Sequence, residues 1–168
     1  KKPACLFVRL SRDSVLDPGF TEWLKTQVAS GKHEPKRLCF QITESIAEQY
    51  MSAAMSQLGE LKKLGFRIAL ERFGSGRDPI KLLGSVALDF IKIDGALVQD
   101  LAGNFETQTV VKKLVEHAAK LHIETIAERV EDANTMAALW QLGVQFIQGY
   151  FVNAPEEGNI ADAPARCR

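Results

Sequence analysis

The residues best suited to chemistry recur at one end of each short apolar segment of the chain. Lys92 interrupts the apolar segment 90–93, and Asp94 follows it directly. Polar side chains at the ends of the other segments are Arg9, Ser11, Gln41, Thr43, Glu44, Glu71, Arg72, Glu128, Glu131 and Gln148. Such groups are rarely buried without a partner, so they pair with one another or face a ligand. A single one could merely cap the following helix, but six segments that all end in this way indicate a ligand site.

Two of these features are open to both a structural and a functional interpretation. The Lys92 ammonium is expected to point into the interior of the fold, where it could pair with Glu71 or Glu128 or bind a ligand. The loop 73–76 has two glycines around a serine, and glycine permits close backbone approach. Its N–H groups could bind a phosphate, or the loop could simply turn the chain.

The elements that would position these residues alternate between strand and helix. Apolar segments of strand length span residues 5–10, 38–42, 67–70, 90–93, 124–127 and 144–147. Helical spacing of apolar residues predicts helices over 20–29, 45–64, 109–121 and 132–142, with Gly65 and Gly143 ending the second and the fourth. Trp23 and Trp140 lie on apolar helix faces and are predicted to be core residues. This alternation predicts an α/β fold with a parallel sheet.

Six strands fit two architectures. A (β/α)8 barrel has eight strands and typically needs about 250 residues, so a chain of 168 residues would cover about six of its eight β/α units, with the others before Lys1. A doubly wound sheet would need no further strand, and periodicity alone does not separate the two. In both, ligands gather at the carboxyl ends of the strands. We predict one domain over residues 1–155 and a loose tail over residues 156–168.

The composition argues against several classes of protein. Lys plus Arg and Asp plus Glu number 21 each, so the formal net charge is zero and the basic bias of a nucleic-acid binder is lacking. No apolar run approaches the roughly 20 residues of a membrane span, and no signal peptide follows Lys1. The cysteines and histidines lack metal-ligand spacing; they are Cys5, Cys39, Cys167, His33, His117 and His122. We therefore expect a reduced, cytoplasmic protein.

With these residues assembled, the chain resembles the EAL family, the barrel-shaped phosphodiesterases and receptors of bacterial cyclic di-GMP signalling. The resemblance runs from about Leu6 to Pro155. Residues 8–11 match the family's V-N-x-S, residues 41–45 match E-I-T-E-S, and residues 70–76 match L-D-D-F-G-T-G. Residues 90–94 match the L-K-I-D strand, residues 127–131 match A-E-G-V-E, and residues 148–150 match Q-G-Y. It implies a TIM-like barrel of which this chain lacks the strand that carries the E-A-L motif.

The chain departs from the family pattern at the positions that the resemblance implies for a metal pair. The family's Asn is Arg9, its ligand Glu is Gln41, and its Asp pair is Glu71 and Arg72. Magnesium prefers anionic oxygen ligands, which an arginine cannot offer. The resemblance therefore predicts a degenerate member that needs no Mg²⁺ or Mn²⁺ and is not an enzyme. The remnants of the catalytic set would be Lys92, Glu128 and Glu131.

The ligand that the resemblance implies is cyclic di-GMP. An arginine can supply the positive charge that a phosphate needs. The predicted ligand-binding residues are Arg9, Gln41, Glu71, Ser75, Gly76, Lys92, Asp94, Glu128, Gln148 and Pro155, with Glu44 supporting the loop. Among degenerate members the chain looks most like the EAL domain of FimX-type proteins, which regulate type IV pili and twitching motility and dock a PilZ-domain protein.

The leading prediction is a catalytically inactive cyclic di-GMP receptor that couples ligand binding to a protein partner, with sensor or cyclase-like domains flanking it in the full protein. One alternative is an active, metal-dependent phosphodiesterase that tolerates the substitutions. A second alternative is a scaffold that has lost the ligand. The sequence upstream of Lys1 would separate receptor from scaffold, because an intact E-x-L-x-R there would keep guanine and phosphate contacts.

Overall fold

Six parallel strands form a single sheet whose spatial order follows the order of the chain. The computed structural model describes residues 5–31 and 34–152. The strands are β1 (Leu6–Arg9), β2 (Leu38–Thr43), β3 (Arg67–Phe73), β4 (Phe90–Ile93), β5 (Glu124–Ala127) and β6 (Phe146–Ile147). A doubly wound sheet reverses its strand order near the middle, whereas the wall of a barrel does not. The α/β prediction is confirmed, and the sheet is the half-barrel of the first architecture.

Helices cover one face of this sheet and connect successive strands. They are α1 (Arg12–Leu16), α2 (Pro18–Ala29), α3 (Glu44–Gln49), α4 (Met51–Lys63), α5 (Pro79–Leu83), α6 (Gly95–Gln99), α7 (Phe105–Lys120) and α8 (Ala133–Gln141), with a 3-10 helix at Pro35–Arg37. The long helix predicted over 45–64 is divided at Tyr50, whose φ of −120° and ψ of 40° are not helical. Gly65 and Gly143 follow α4 and α8 with φ of 90° and 86°, as expected of residues that end helices.

The two faces of the sheet differ because side chains alternate along each strand. On the convex face, aliphatic side chains such as Ile42, Leu70 and Ile91 are fully buried against the helices. On the concave face, the amino-terminal half of the strands contributes an apolar layer: Phe7, Cys39, Ala69, Phe90, Ile126 and Phe146. A polar layer follows two residues further along the chain in each case, within β1 to β4 and directly after β5 and β6: Arg9, Gln41, Glu71, Lys92, Glu128 and Gln148. The concave face therefore carries an apolar layer near the strand starts and a polar layer near the strand ends.

The structure corrects the prediction that Trp23 and Trp140 are core residues. Their exposed fractions are 56% and 57%. Each helix packs through the residue beside its tryptophan, Leu24 in α2 and Leu139 in α8, so the indole ring lies at the border of the buried stripe. Among the helices described, none is long and apolar enough to cross a membrane. The predicted tail 156–168 lies outside the described residues.

Candidate functional site

The carboxylate of Glu71 is the centre of the polar layer on strands β1 to β3. Glu71 is fully buried, and its Oε2 accepts hydrogen bonds from Arg9 Nη2 at 2.9 Å and from Gln41 Nε2 at 2.8 Å. Arg9 Nε also lies against the other oxygen of the same carboxylate. The parallel register places Arg9 beside Gln41 on adjacent strands, so Gln41 reaches Glu71 on the neighbouring strand and Arg9 reaches it on the next strand but one. The buried negative charge is thus met by a guanidinium and an amide.

Lys92 occupies the other half of the polar layer and is itself 5% exposed. Its Nζ lies 3.5 Å from Gln148 Oε1, 3.9 Å from Glu128 Oε1 and 4.5 Å from the centre of the Phe7 ring. Of the two carboxylates that the sequence offered as its partner, the structure selects Glu128. Burial raises the pKa of Glu128, and the neighbouring Lys92 ammonium partly opposes that rise.

The N–H groups of the loop 73–76 bind the side-chain carboxylate of Glu44. The backbone N–H groups of Gly74, Ser75 and Gly76 donate to Glu44 Oε2 at 3.0, 3.1 and 2.8 Å. Thr43 caps the helix that carries Glu44, through a hydrogen bond from the N–H of Ile46 at 3.3 Å. The predicted ligand residues Ser75 and Gly76 can therefore reach a ligand only through groups other than these N–H donors.

Asp94 lies between the two halves of the site, at the end of β4. Its side chain caps α6 by accepting from the N–H of Ala96 at 2.9 Å. The same aspartate lines a cavity of about 240 Å³, whose other walls are Glu44, Ser45, Glu48, Arg72, Ser75 and Gly76.

Two further arginines stand at this edge in a conformation that L residues rarely adopt. Arg72 and Arg129 have φ of 52° and 56°, and both side chains are exposed. The stem of Arg129 packs on Gly95, where a Cβ would lie 2.5 Å from its Cδ. Sequence reasoning did not select Arg129, although it stands where the family motif has a glycine. Strained residues of this kind cluster at binding sites.

One predicted remnant of the catalytic set, Glu131, is not part of the polar layer. Glu131 is exposed beyond β5, and its Oε1 accepts from Gln99 Nε2 at 3.3 Å. Pro155 lies outside the described residues.

The oxygen donors of the site do not fit a metal pair. Glu71 is already bound by a guanidinium, and Glu128 faces the Lys92 ammonium. Gln41 Oε1 is buried without a hydrogen-bond partner, but it is a neutral amide oxygen. Within residues 5–31 and 34–152, no three His, Cys, Asp or Glu side chains gather closely enough to hold a metal ion. What these residues can do is bind an anion through Lys92 and Arg9.

We expect the pH dependence of stability to reveal the burial of Glu44. Burial raises the pKa of Glu44 more than the loop N–H groups lower it, so the folded state binds its proton at a higher pH than the unfolded chain does. Its contribution to the free energy of unfolding therefore falls as pH rises from the unfolded pKa through the raised folded pKa. Urea unfolding of wild type and Glu44→Gln at a series of pH values measures this. The free energy of unfolding of wild type minus that of Glu44→Gln should decrease as pH rises across that window. If that difference increases with pH instead, the loop N–H groups lower the pKa of Glu44 more than burial raises it.

Known proteins resemble the chain along most of its length. A family model described as the EAL domain matches residues 1–155. Cyclic di-GMP phosphodiesterase PdeB of Shewanella oneidensis is 34% identical over 152 residues, which cover 90% of this chain and 18% of that protein. The chain spans about a fifth of the length of the curated relatives it matches.

Two solved structures add ligands to the comparison. The FimX EAL domain from Pseudomonas aeruginosa bound to c-di-GMP has a TM-score of 0.85 at 36% identity, covering 92% of this chain and 63% of that one. The Klebsiella pneumoniae BlrP1 manganese/cyclic di-GMP complex has a TM-score of 0.79 at 26% identity, covering 87% and 38%. Because the second contains manganese, the prediction that no metal is needed is not confirmed.

The prediction that the chain is not an enzyme is wrong by this comparison. Its curated relatives include proteins named as cyclic di-GMP phosphodiesterases, at 31% to 34% identity. The prediction weighed the ligand chemistry of three substituted positions, Arg9, Gln41 and Arg72, above the similarity of the remaining chain. The relatives favour the alternative of a phosphodiesterase.

Proposed function

The chain belongs to the EAL domain family, as its six motifs predict, and on that premise we propose that it binds cyclic di-GMP across the polar layer. The observation that carries the proposal is the Lys92 ammonium, which is 5% exposed on the concave face above an apolar layer. A buried cation attracts a phosphate more strongly than an exposed one, because less water screens it. The FimX EAL domain bound to c-di-GMP, at TM-score 0.85, supports the same ligand.

The contacts of the polar residues are consistent with separate roles in binding cyclic di-GMP. Lys92 and Arg9 bind phosphate oxygens; the Arg9 side chain is 57% exposed and directs two of its three nitrogens to Glu71, which leaves Nη1 for a ligand. Glu71 holds Arg9 in place, and Gln41 donates to the same Glu71 carboxylate. The remaining ligand residues of the proposal are Asp94, Glu128, Gln148, Ser75, Gly76 and Pro155.

Hydrolysis of cyclic di-GMP is the second candidate, and the relatives named as phosphodiesterases favour it. Incubation of the full chain with cyclic di-GMP and either Mg²⁺ or Mn²⁺, followed by chromatography of the nucleotides, tests it directly. Linear dinucleotide that accumulates in proportion to protein supports hydrolysis. Calorimetric titration of the same preparation tests binding, and absence of binding with and without metal would contradict the main proposal.

We expect Lys92→Met to weaken cyclic di-GMP binding by roughly ten- to a hundredfold. Loss of a charge-assisted hydrogen bond costs about 1.5–3 kcal/mol, and each 1.4 kcal/mol is about tenfold. The matched control is Lys112→Met, because Lys112 is 62% exposed on α7 and pairs with Glu116 at the surface. Titration calorimetry on both variants gives the comparison. Equal affinities for the two would exclude Lys92 from the ligand site.

The likeness to FimX supports a finer part of the proposal. In this part of the proposal, the domain binds its ligand in the cytoplasm and couples that binding to a PilZ-domain protein. The partner takes part in control of type IV pili and twitching motility. Sensor or cyclase-like domains flank this domain in the full protein. Co-purification of a PilZ-domain protein with the full-length protein, with and without cyclic di-GMP, is the test. Equal recovery under both conditions would contradict the coupling.

A further inference from the structure

Phe7 and Lys92 meet across the concave face of the sheet. They stand on β1 and β4, which are separated by two strands, yet Lys92 Nζ is only 4.5 Å from the centre of the Phe7 ring. Three strand spacings would keep these side chains roughly 14 Å apart in a flat sheet. The contact therefore depends on the curvature of the half-barrel, and it joins the apolar layer to the polar layer.

The orientation of the Phe7 ring is fixed by a second aromatic residue. Phe90 packs edge-on against Phe7 with ring centres 5.3 Å apart and an angle of 63° between the ring planes. Phe90 is 5% exposed and precedes Lys92 by two residues on the same strand, so β4 supplies both the ammonium and the support for its aromatic partner. The Arg67 guanidinium lies 5.7 Å from the centre of the Phe90 ring on the side of the strand starts.

The ring differs in kind from the other partners of Lys92. The face of a phenyl ring attracts a cation through its quadrupole but carries no charge. Glu128 Oε1 is 3.9 Å from Nζ, longer than a hydrogen bond, and Gln148 Oε1 is at the outer limit at 3.5 Å. A carboxylate in close contact would compete with an incoming phosphate for the ammonium, whereas the ring stabilises the ammonium and uses none of its hydrogen-bond donors.

We propose that Phe7 is a positioning residue: its ring holds the Lys92 ammonium in place without the competing charge that a carboxylate in close contact would bring against a ligand phosphate. The inference rests on the proposed function, because it assigns Phe7 a role in cyclic di-GMP binding. Phe7 would not touch the ligand itself. It would act through the charge and direction of one lysine.

Fluorinated phenylalanine at position 7 tests the inference with almost no change of shape. One, two and three ring fluorines weaken the quadrupole step by step, so we expect affinity for cyclic di-GMP to fall stepwise, by about tenfold in total for the trifluoro ring. The same trifluoro residue at Phe66 is the matched control, since Phe66 is 3% exposed and packs on Phe40. Phe7→Leu should weaken binding as well, and Phe7→Tyr should retain it. Affinity that is equal across the fluorine series would overturn the inference and leave the proposed function intact.

A second measurement keeps the two proposals separate. In the ligand-free protein, the ε-methylene protons of Lys92 should resonate upfield because of the Phe7 ring current, and this shift should disappear in Phe7→Leu. If the unmodified chain does not bind cyclic di-GMP while the upfield shift is present, the proposed function fails and the Phe7–Lys92 contact stands. If the shift is absent, the positioning role fails whatever the affinity.

Discussion

Replacing Gly149 with alanine is expected to lower the free energy of unfolding by about 3 kcal/mol or more. A Cβ on Gly149 would lie 2.3 Å from both the N and the O of Val130. These two atoms are backbone, and both are already engaged: the Val130 N–H donates to Gln148 O, and Val130 O accepts from the N–H of Phe151, each at 3.1 Å. Neither can move aside without breaking the contact between the segments that follow β5 and β6.

The matched control for this variant is Gly59→Ala. Gly59 lies inside α4, and a Cβ there would meet nothing within 4 Å. Alanine is the better helix former, so Gly59→Ala should raise the free energy of unfolding by roughly 1 kcal/mol. Denaturant unfolding of both variants measures the two effects, which should have opposite signs. A Gly149→Ala protein as stable as wild type would mean that residues 148–151 do not wrap around Val130.

Replacing Arg9 with alanine is expected to cost stability as well as affinity. Glu71 is completely buried, so loss of Arg9 leaves a buried carboxylate with Gln41 as its remaining partner. Removing one member of such a pair costs about 3 kcal/mol or more, and the half-exposed position of Arg9 favours the lower end. Affinity for cyclic di-GMP should fall by about tenfold, the lower end for one charge-assisted hydrogen bond.

A second substitution separates these two roles of Arg9. Glu71→Gln in the Arg9→Ala background removes the buried charge, so most of the lost stability should return while the affinity stays low. Thermal or denaturant unfolding and titration calorimetry on the same preparations complete the cycle. Stability that does not recover in the double variant would contradict the interpretation that an unpaired Glu71 carboxylate is the cause.

Much of the sheet could be predicted because most strand residues on both faces are apolar, with the polar side chains confined to the carboxyl-terminal part of the concave face. β4 and β5 have the bounds that the sequence predicts, 90–93 and 124–127. β3 continues three residues beyond the predicted end, to Phe73. Glu71 and Arg72 indicated the end of a strand, but Glu71 is buried inside it, because Arg9 and Gln41 from other strands compensate its charge.

The short helices were not predicted for a different reason. α1, α5 and α6 have five residues each, too few for an apolar period to repeat. Their start signals were present all the same: Ser11, Asp78 and Asp94 each cap one of them. A capping residue without a following period is a weak signal of a helix in sequence.

The set of polar residues at the strand ends was visible in the sequence, whereas their pairing was not. Arg9 and Glu71 are 62 positions apart, and which carboxylate meets which cation depends on strand order and curvature. The same holds for Phe7, which lies in an apolar segment and carries no polar signal of its own. The sequence also could not show whether the loop 73–76 binds an anion or only turns the chain, because the anion that it binds is Glu44, which lies on a different element.

That internal carboxylate has a consequence for how fast and how tightly the site can engage a ligand. Three backbone amides that would otherwise have to be ordered by an arriving phosphate are ordered in its absence, since Glu44 Oε2 holds them at 2.8–3.1 Å. The entropy of fixing the loop is then part of the folding equilibrium and is not subtracted from the free energy of association. For the ligand proposed above, binding would therefore need no ordering step of the loop 73–76, and no free energy of association would be lost to fixing that loop.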